Sequence, residues 1–266
     1  MAMLRESVQK AINPFIGVFQ DYYQAHQLSS YSPSAVAWIP SIETCMIFIW
    51  GPIVGKLFDK YGPRWLLLIG TILHLFGLMM FSLCSQYYQL ILAQSVCSAT
   101  GASFLFFTGV TAVSTWFVCR RALAIGITVC GASVGGVVFP ILVSHLSSKV
   151  GFPWTIRACA FLILALCIFA NVTVTSRLQH SPTRFNLDDF WKSLHEAPFA
   201  MFTFGYFVFY LGLFVPYNFI IIQADRYGVS SDLAGYMVPI LNAGELIGRI
   251  APSWFADRCG RFNMMS

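Results

Sequence analysis

The sequence predicts an all-α polytopic membrane protein, and two observations carry that prediction. Of its 266 residues, 57% are hydrophobic and only 10% are charged, whereas about 25% of a soluble domain is charged. The polar residues are too few to cover a water-exposed surface, so lipid is the solvent for most of the chain. The apolar residues also gather in runs long enough to cross a bilayer, which takes roughly 17 to 25 residues.

Seven of these runs are long enough to be complete membrane-spanning helices. They lie at about residues 34–58, 64–84, 88–116, 120–148, 154–175, 198–223 and 232–256. A further run at residues 11–23 is shorter than the roughly 17 residues that a span requires, and we expect it to be only part of a first helix. The sequence therefore predicts a partial helix 1 followed by complete helices 2 to 8.

Positive charge is divided unevenly between the two sides of this predicted bundle. With these span boundaries, twelve Lys and Arg residues lie on one side and three on the other, while Arg249 lies inside helix 8. The positive-inside rule places the twelve-residue side, and with it the C-terminus, in the cytoplasm. The plasma membrane is the expected location, with an internal membrane as the alternative. The net charge of +5 comes from loops rather than from one basic patch, so no nucleic-acid partner is predicted.

A charged turn with two glycines, GKLFDKYGPR at positions 55–64, connects helices 2 and 3. Gly55 and Gly62 allow a tight reversal and a close helix approach, and the proline that follows stops a helix. The turn resembles the loop signature of the major facilitator superfamily, G-x-L-x-D-R/K-x-G-x-R/K. All six specified positions are present, including Asp59, Lys60 and Arg64. The resemblance implies a helical transporter fold.

A shorter copy of this motif follows helix 8 as ADRCGR at positions 256–261, with Asp257, Arg258 and Gly260 at the matching places. Asp257 follows Asp59 by 198 residues (257 − 59 = 198). Recurrence at the interval of half a transporter, after an even number of spans, indicates an internal repeat.

Helix 5 begins with a basic and glycine-rich segment, WFVCRRALAIGITVCGASVGG at positions 116–136. Arg120 and Arg121 anchor its start, and four glycines predict a stripe of small residues for close helix packing. These glycines are Gly126, Gly131, Gly135 and Gly136. A nucleotide-binding loop is excluded because no strand precedes the glycines and no lysine follows them. The segment is similar to the helix 5 signature of the monocarboxylate porter family, which has fungal members.

Helices 2 to 4 contain three polar side chains that need an explanation. Glu43 lies nine residues into helix 2, about 13 Å from its start, and we expect it to face the bundle or a cavity. A structural pairing and a transport role are equally open for it. Gln94 occupies the glutamine position of an R-x-x-Q-G signature of the superfamily, but Ile91 and Ser95 replace its arginine and glycine. His74 is predicted to be packed and neutral.

Helix 8 carries the candidate substrate-binding residues Asn242, Glu245 and Arg249. An arginine near the middle of a membrane helix costs about 2.5 to 3.5 kcal/mol on insertion scales, which makes it a functional candidate. Glu245 precedes Arg249 by four residues and shares its face, so the two could simply neutralise each other and let the helix insert. The pair also resembles the D-x-x-x-R motif of porter helix 8. That resemblance implies that the arginine binds a substrate carboxylate and that the acid takes part in proton coupling.

The resemblances together imply a domain organisation and a function. Residues 1–176 form the N-terminal bundle, residues 177–198 a cytoplasmic linker, and residues 199–266 the start of a C-terminal bundle. The implied function is secondary transport of a small organic anion or metabolite across the lipid bilayer, with proton coupling and oligomeric state left open. The alternative is a truncated remnant, or an incomplete gene model, that does not transport. The sequence has no nucleophile–base constellation, phosphate loop or metal-ligand spacing, so no enzyme, cofactor or metal site is predicted.

Overall fold

The computed structural model describes residues 31–177, 195–209 and 231–260, together with Gly212, Tyr227 and Gly228. All regular structure in these ranges is helical. The helices are α1 (Pro33–Ile49), α2 (Gly51–Tyr61), α3 (Pro63–Phe81), α4 (Tyr87–Leu90), a π-helical segment (Ile91–Ser98), α5 (Ala99–Trp116), α6 (Arg121–Val150), α7 (Phe152–Thr173), α8 (Ala197–Phe209) and α9 (Ser231–Cys259). The predicted partial helix 1, most of the linker and the second half of helix 7 lie outside the described residues.

Five helical stretches in this part of the chain are long and apolar enough to cross a membrane. They are Trp38–Tyr61, Pro63–Phe81, Tyr87–Trp116, Arg121–Ser147 and Phe152–Thr173. They correspond to predicted helices 2 to 6, with ends that differ from the prediction by a few residues. Their outward faces present large exposed apolar side chains, such as Trp65, Ile72 and Phe76 on α3 and Phe161 and Phe169 on α7. A bilayer is the solvent in which such faces are stable.

Predicted helix 2 is divided into α1 and α2 at Trp50. Pro52 explains the division, because it has no N–H to donate to the carbonyl four residues earlier and its ring displaces that carbonyl. The helix resumes at once, with the amide of Val54 donating to the Trp50 carbonyl over 2.8 Å. The charged turn is shorter than predicted, since α2 continues through the motif to Tyr61. The reversal occurs at Gly62 alone, whose φ of 76° favours glycine.

Two apolar clusters hold four of the five spans together, one toward each end of the bundle. The first joins α1, α3, the π-helical segment and α7 through Val36, Ile39, Phe81, Leu90, Ala93, Phe152 and Ile156. The second joins α2, α3 and α5 through Val54, Phe58, Leu66, Phe104 and Ala112. Polar contacts between helices occupy the levels between these clusters.

The middle of the bundle is packed closely around α3 and the helix that contains the π-helical segment. A side chain added at Gly77 would lie 2.6 Å from the backbone nitrogen of Ser98, so the two helices are too close there for any other residue. His74 on α3 lies in this contact, with its Nδ1 3.0 Å from both the carbonyl and the hydroxyl of Ser98. The predicted packing of His74 is confirmed.

The stretch 33–61 and helix α9 have the relation that the repeated loop motif predicts. Both are 29 residues long, and their ends differ by the same interval as Asp59 and Asp257 (231 − 33 = 198; 259 − 61 = 198). Each stretch contains two prolines beyond its first residue, which are Pro40 and Pro52 in one, where Pro33 is also the first residue, and Pro239 and Pro252 in the other. Each is followed by a glycine with positive φ, 76° at Gly62 and 96° at Gly260. We therefore treat them as equivalent helices of two halves.

Candidate functional site

Helix α9 packs along α6, and small residues make the contact possible. A side chain added at Gly126 would lie 2.8 Å from Cβ of Ser253 and 2.9 Å from the Arg249 carbonyl, and one added at Gly136 would collide with Asn242. The predicted glycine stripe is only half correct. Gly131 has no atom within 4 Å of such a side chain among the described residues, and Gly135 meets only Phe139. The contact face continues instead through Cys130 and Ser133, because residues at i, i+4, i+7 and i+10 share one side of a helix.

Glu245 and Arg249 form an ion pair at the centre of α9. The Arg249 Nη2 atom donates to Glu245 Oε2 over 2.8 Å, and the side chains are 32% and 26% exposed, respectively. Glu245 lies 14 residues from each end of the 29-residue helix, about 21 Å at 1.5 Å per residue. The pair therefore lies at mid-helix, where it contacts α6 and stays partly exposed.

Helix α6 supplies two further contacts to this pair. The Arg249 Nη1 atom donates to the backbone carbonyl of Val129 over 2.8 Å. The Ser133 hydroxyl donates to Glu245 Oε2 over a longer 3.4 Å, and its side chain is fully buried. Neither α6 residue was predicted, because a backbone carbonyl and a serine give no signal in a single sequence. The guanidinium and the carboxylate are thus both held from the same turn of the neighbouring helix.

Asn242 lies one turn before Glu245 on α9 and is 8% exposed. It is positioned by Gly136, whose missing side chain leaves room for the Asn242 amide. The three predicted substrate-binding residues therefore lie on consecutive turns of α9. An amide, a carboxylate and a guanidinium on one face of a helix can bind a polar or anionic group, and the planar guanidinium fork suits a carboxylate in particular.

A second connection between the two helices lies at the end where α6 begins and α9 finishes, which we call the basic end because it carries Arg120, Arg121 and Arg258. Arg120 is the N-cap residue of α6 and has no side-chain acceptor to offer, so the first amides of the helix need partners from elsewhere. The carboxylate of Asp257 provides them, accepting from the amide of Ala122 over 3.1 Å and from that of Leu123 over 2.9 Å. A carboxylate at a helix N-terminus also opposes the positive end of the helix dipole. We call this contact the Asp257 clasp.

The remaining motif residues lie at the same end of the molecule. In the first copy, Asp59, Lys60 and Arg64 are exposed, and Gly55 lies inside α2 with open space where a side chain would be. The close helix approach predicted at Gly55 is therefore not made within the described residues. In the second copy and at the start of α6, the exposed residues are Arg258, Gly260, Arg120 and Arg121. Their exposure agrees with anchoring at a membrane surface.

Comparisons with known proteins agree with this architecture. A family model described as "Major Facilitator Superfamily" matches residues 2–266. The chain is 47% identical over 250 residues to an "MFS-type transporter" of Gibberella moniliformis, covering 94% of this chain and 60% of the relative. It is 42% identical over 250 residues to the "Fujikurins efflux protein" of Gibberella fujikuroi, covering 94% of this chain and 54% of the relative.

A third relative is more distant. The "Aspyridones efflux protein apdF" of Emericella nidulans is 37% identical over 257 residues, covering 96% of this chain and 52% of the relative. The chain thus spans about half to three-fifths of the length of these curated relatives. The family match, the helical spans and the repeated loop motif agree with one another. The chain is a multi-pass membrane protein that belongs to the major facilitator superfamily.

Proposed function

We propose that this chain acts in secondary transport of a small organic acid or acidic metabolite, and that Arg249 binds the anionic group of that substrate. The observation that carries the proposal is the Glu245–Arg249 pair at the centre of α9, whose side chains remain partly exposed. The guanidinium has a neutral backbone partner at Val129 and one carboxylate partner at Glu245. Glu245 contacts the guanidinium through one oxygen, and a substrate carboxylate that displaces it can engage the guanidinium fork with both of its oxygens.

Glu245 couples this exchange to a proton. While Glu245 is ionised it competes with the substrate for Arg249. When a proton adds to its carboxylate, the charge that holds the guanidinium disappears and Arg249 becomes available to the substrate anion. Ser133 supports both states, because its hydroxyl can donate to the carboxylate or to the carbonyl oxygen of the neutral acid. This is the proton-coupled porter mechanism implied by the D-x-x-x-R resemblance.

Alternating access then requires the contacts between α6 and α9 to change. Transporters of this architecture move one half against the other around a midplane site. In the described structure the Asp257 clasp holds the basic ends of the two helices together, so we assign the basic end as closed and cytoplasmic. The clasp must open for the site to face the cytoplasm. Two of the relatives named above are called efflux proteins, which supports export as the direction.

Binding to the purified chain tests the site. We would measure a panel of carboxylates, each paired with its neutral methyl ester, on the parent, Arg249→Lys and the control Arg258→Lys at the basic end. Arg249→Lys should weaken carboxylate binding about 10-fold, or roughly 1.4 kcal/mol, because a lysine cannot form the bidentate fork. Ester binding and the Arg258→Lys variant should be unaffected. Equal binding of acids by the parent and Arg249→Lys would contradict the proposal.

The proton step has its own measurement. Carboxylate binding by the parent should vary with pH, and Glu245→Gln should remove that variation while keeping the side-chain shape. The control is Glu196→Gln, which removes an exposed carboxylate outside α9. This variant should keep the pH dependence of the parent. If Glu245→Gln retains the parent's pH profile, Glu245 is a structural partner of Arg249 only.

Asp59 supports a second candidate function, a chain that binds substrate without transporting it. Unlike Asp257, Asp59 makes no hydrogen bond or ion pair with any described residue. Among the described residues, nothing therefore holds this copy of the motif closed against a partner half. We expect proteoliposomes that contain only this chain to show little or no uptake; saturable uptake by them would eliminate this candidate.

A further inference from the structure

Glu43 is a second acidic side chain within the membrane thickness, and the mechanism above does not use it. It lies ten residues after Pro33 and 18 before Tyr61, which is about 15 Å from one end of the stretch and about 27 Å from the other. The hydrocarbon layer of a bilayer is about 30 Å thick, and 29 residues extend to about 43 Å. A short glutamate side chain at this depth cannot reach the surface water.

The partner of Glu43 is an amide on the π-helical segment. Gln94 Nε2 donates to Glu43 Oε2 over 2.8 Å, and the hydroxyl of the next residue, Ser95, donates to the Ile39 carbonyl of α1 over 2.8 Å. Successive residues of an α-helix point about 100° apart, so two neighbours rarely bond to the same helix. The widened turn of the segment 91–98 lets both reach α1. Such π-helical turns are frequent at functional sites.

No described cation bonds to Glu43 from the helices around α1. Helices α2 and α5 and the π-helical segment pack along α1, α4 bonds to it through Tyr87, and α3 and α7 meet it in the first apolar cluster. The cation of α7, Arg157, donates to Ser82, and Arg64 of α3 is exposed at the first residues of that helix. Helix α5 has no ionisable residue, and the ionisable residues of α2 begin at Lys56, 13 positions away. The ionisable residue of the π-helical segment, Cys97, donates to the Leu73 carbonyl on α3. His74 of α3 is bound to Ser98, and Cys45, on α1 itself, is exposed.

This arrangement differs chemically from the Glu245–Arg249 pair. An ionised carboxylate in a membrane is costly unless a cation compensates it, and Gln94 offers only a neutral N–H. The neutral acid avoids that cost, since its carbonyl oxygen accepts from Gln94 while its O–H remains a donor. Because the Gln94 bond suits both forms, a proton can add to a carboxylate oxygen or leave it without breaking the contact between the helices.

The internal repeat places the two acids in related positions. The residue of the first half that corresponds to Glu245 is number 47 (245 − 198 = 47), one helical turn from Glu43. Each half therefore carries one carboxyl at a similar depth on the same repeat helix. One is neutralised by an arginine and the other bonds to an amide.

We propose that Glu43, held by Gln94, is a proton-binding site of the first half, separate from the Glu245–Arg249 site. It holds a proton at neutral pH while it is shielded from water and releases it when that half exposes it to an aqueous side. The proposal does not depend on what Arg249 binds, so either assignment can fail alone.

The test is infrared spectroscopy of the purified full chain during a pH titration, with the proton itself as the probe. The C=O stretch of a protonated carboxyl is distinct from the carboxylate and amide bands, and exposed glutamates and aspartates are ionised near neutral pH. We expect the parent to show a protonated-carboxyl band at about pH 7. The isosteric variant Glu43→Gln should lose it, and the controls Glu245→Gln and Glu196→Gln should retain it.

Two results would overturn the proposal. One is the absence of the band from the parent, which needs no variant. The other is a band that is lost in Glu245→Gln and retained in Glu43→Gln.

Gln94→Leu tests the role of the amide. Loss of the hydrogen bond to the acid's carbonyl should move the remaining band to higher frequency, because a free C=O vibrates faster than a bonded one. Gln89→Leu, on the same helix one turn before the π-helical contact, is the matched control and should not move it. A band at the parent's frequency in Gln94→Leu would remove Gln94 from the site.

Discussion

The stretch 33–61 and helix α9 are equivalent elements of two halves, yet they are held in their surroundings in different ways. Helix α9 lies against α6 at glycine contacts, ends in the Asp257 clasp and carries an internally paired charge. The stretch 33–61 is bound by side-chain donors from α4, the π-helical segment and α5. These are Tyr87 to Ala35, Gln94 to Glu43, Ser95 to Ile39 and Ser103 to Ile47.

This difference shows that a repeated motif determines where a side chain lies on its helix but not which partner it contacts. Asp59 and Asp257 occupy the same place in the motif and in the helix, but only Asp257 has a helix start within reach in the described structure. The clasp therefore depends on the uncapped N-terminus of α6 as much as on the aspartate. Four contacts can be changed to test this comparison, which are the packing of α9 on α6, the Asp257 clasp, the hydroxyl contacts to the stretch 33–61 and the basic residue beside each aspartate.

The largest effect is expected from packing at Gly126. Gly126→Ala places a methyl group 2.8 Å from Cβ of Ser253 and 2.9 Å from the Arg249 carbonyl oxygen. Overpacking of this kind lowers the free energy of unfolding by about 1 to 3 kcal/mol. Gly131→Ala, one turn away with open space, should instead gain up to about 1 kcal/mol from helix propensity. Reversible unfolding of the chain in mixed detergent measures both. Equal effects of the two variants would mean that α9 is not seated on this face of α6.

The clasp should give the next largest effect. Asp257→Ala leaves two amides of α6 without their acceptor and should lower the free energy of unfolding by about 1 to 2 kcal/mol, the usual cost of a lost helix cap. Asp59→Ala is the matched variant in the other half and should stay within about 0.5 kcal/mol of the parent, as an exposed residue without described partners does. The same unfolding assay applies. A loss at Asp59 as large as that at Asp257 would show that both motif copies are clasped.

The hydroxyl contacts of the stretch 33–61 come third. Ser103→Ala removes a bond of 2.6 Å to the Ile47 carbonyl of a neighbouring helix and should cost about 1 kcal/mol. Ser114→Ala, nearer the C-terminal end of the same helix, removes a hydroxyl that donates to the Thr111 carbonyl of its own helix. It should lower the free energy of unfolding by less than Ser103→Ala does. If the two variants are equally stable, the donors do not hold α1 in place.

The sequence was sufficient to predict the five spans of helices 2 to 6, the repeated motif and the pairing of Glu245 with Arg249 on one helix. Lipid as solvent imposes long apolar runs, and a charge inside one is conspicuous, so these features need only local information. The helix break at Trp50 was missed even though Pro52 was visible, because a proline inside a membrane helix often only kinks it.

The contacts of the site depend on which face of α6 meets α9, which no single sequence determines. The sequence does not distinguish the four glycines of α6 from one another, but only Gly126 and Gly136 contact α9. The Val129 carbonyl is a backbone group, and Ser133 is one of many serines. The π-helical turn that brings Gln94 to Glu43 likewise left no pattern to be recognised, since a π-helical turn has no composition of its own.

The smallest effect concerns the basic residue beside each aspartate. Arg258 lies over the ring of Trp254 at 3.9 Å, whereas its equivalent Lys60 (258 − 198 = 60) lies 4.9 Å from the ring of Tyr61. A cation over an exposed aromatic ring contributes about 0.5 to 1 kcal/mol, and tryptophan is the strongest partner. Arg258→Gln should therefore lower the free energy of unfolding by about 0.5 kcal/mol, and Lys60→Gln should change it by less.

Fluorescence gives a second measurement of the same contact. Since tryptophan emission responds to a nearby cation, Arg258→Gln should also alter the emission of Trp254, and the variant Trp254→Phe gives the contribution of the other tryptophans, which is subtracted. If Lys60→Gln destabilises the chain more than Arg258→Gln, the second copy of the motif is not the more firmly held of the two.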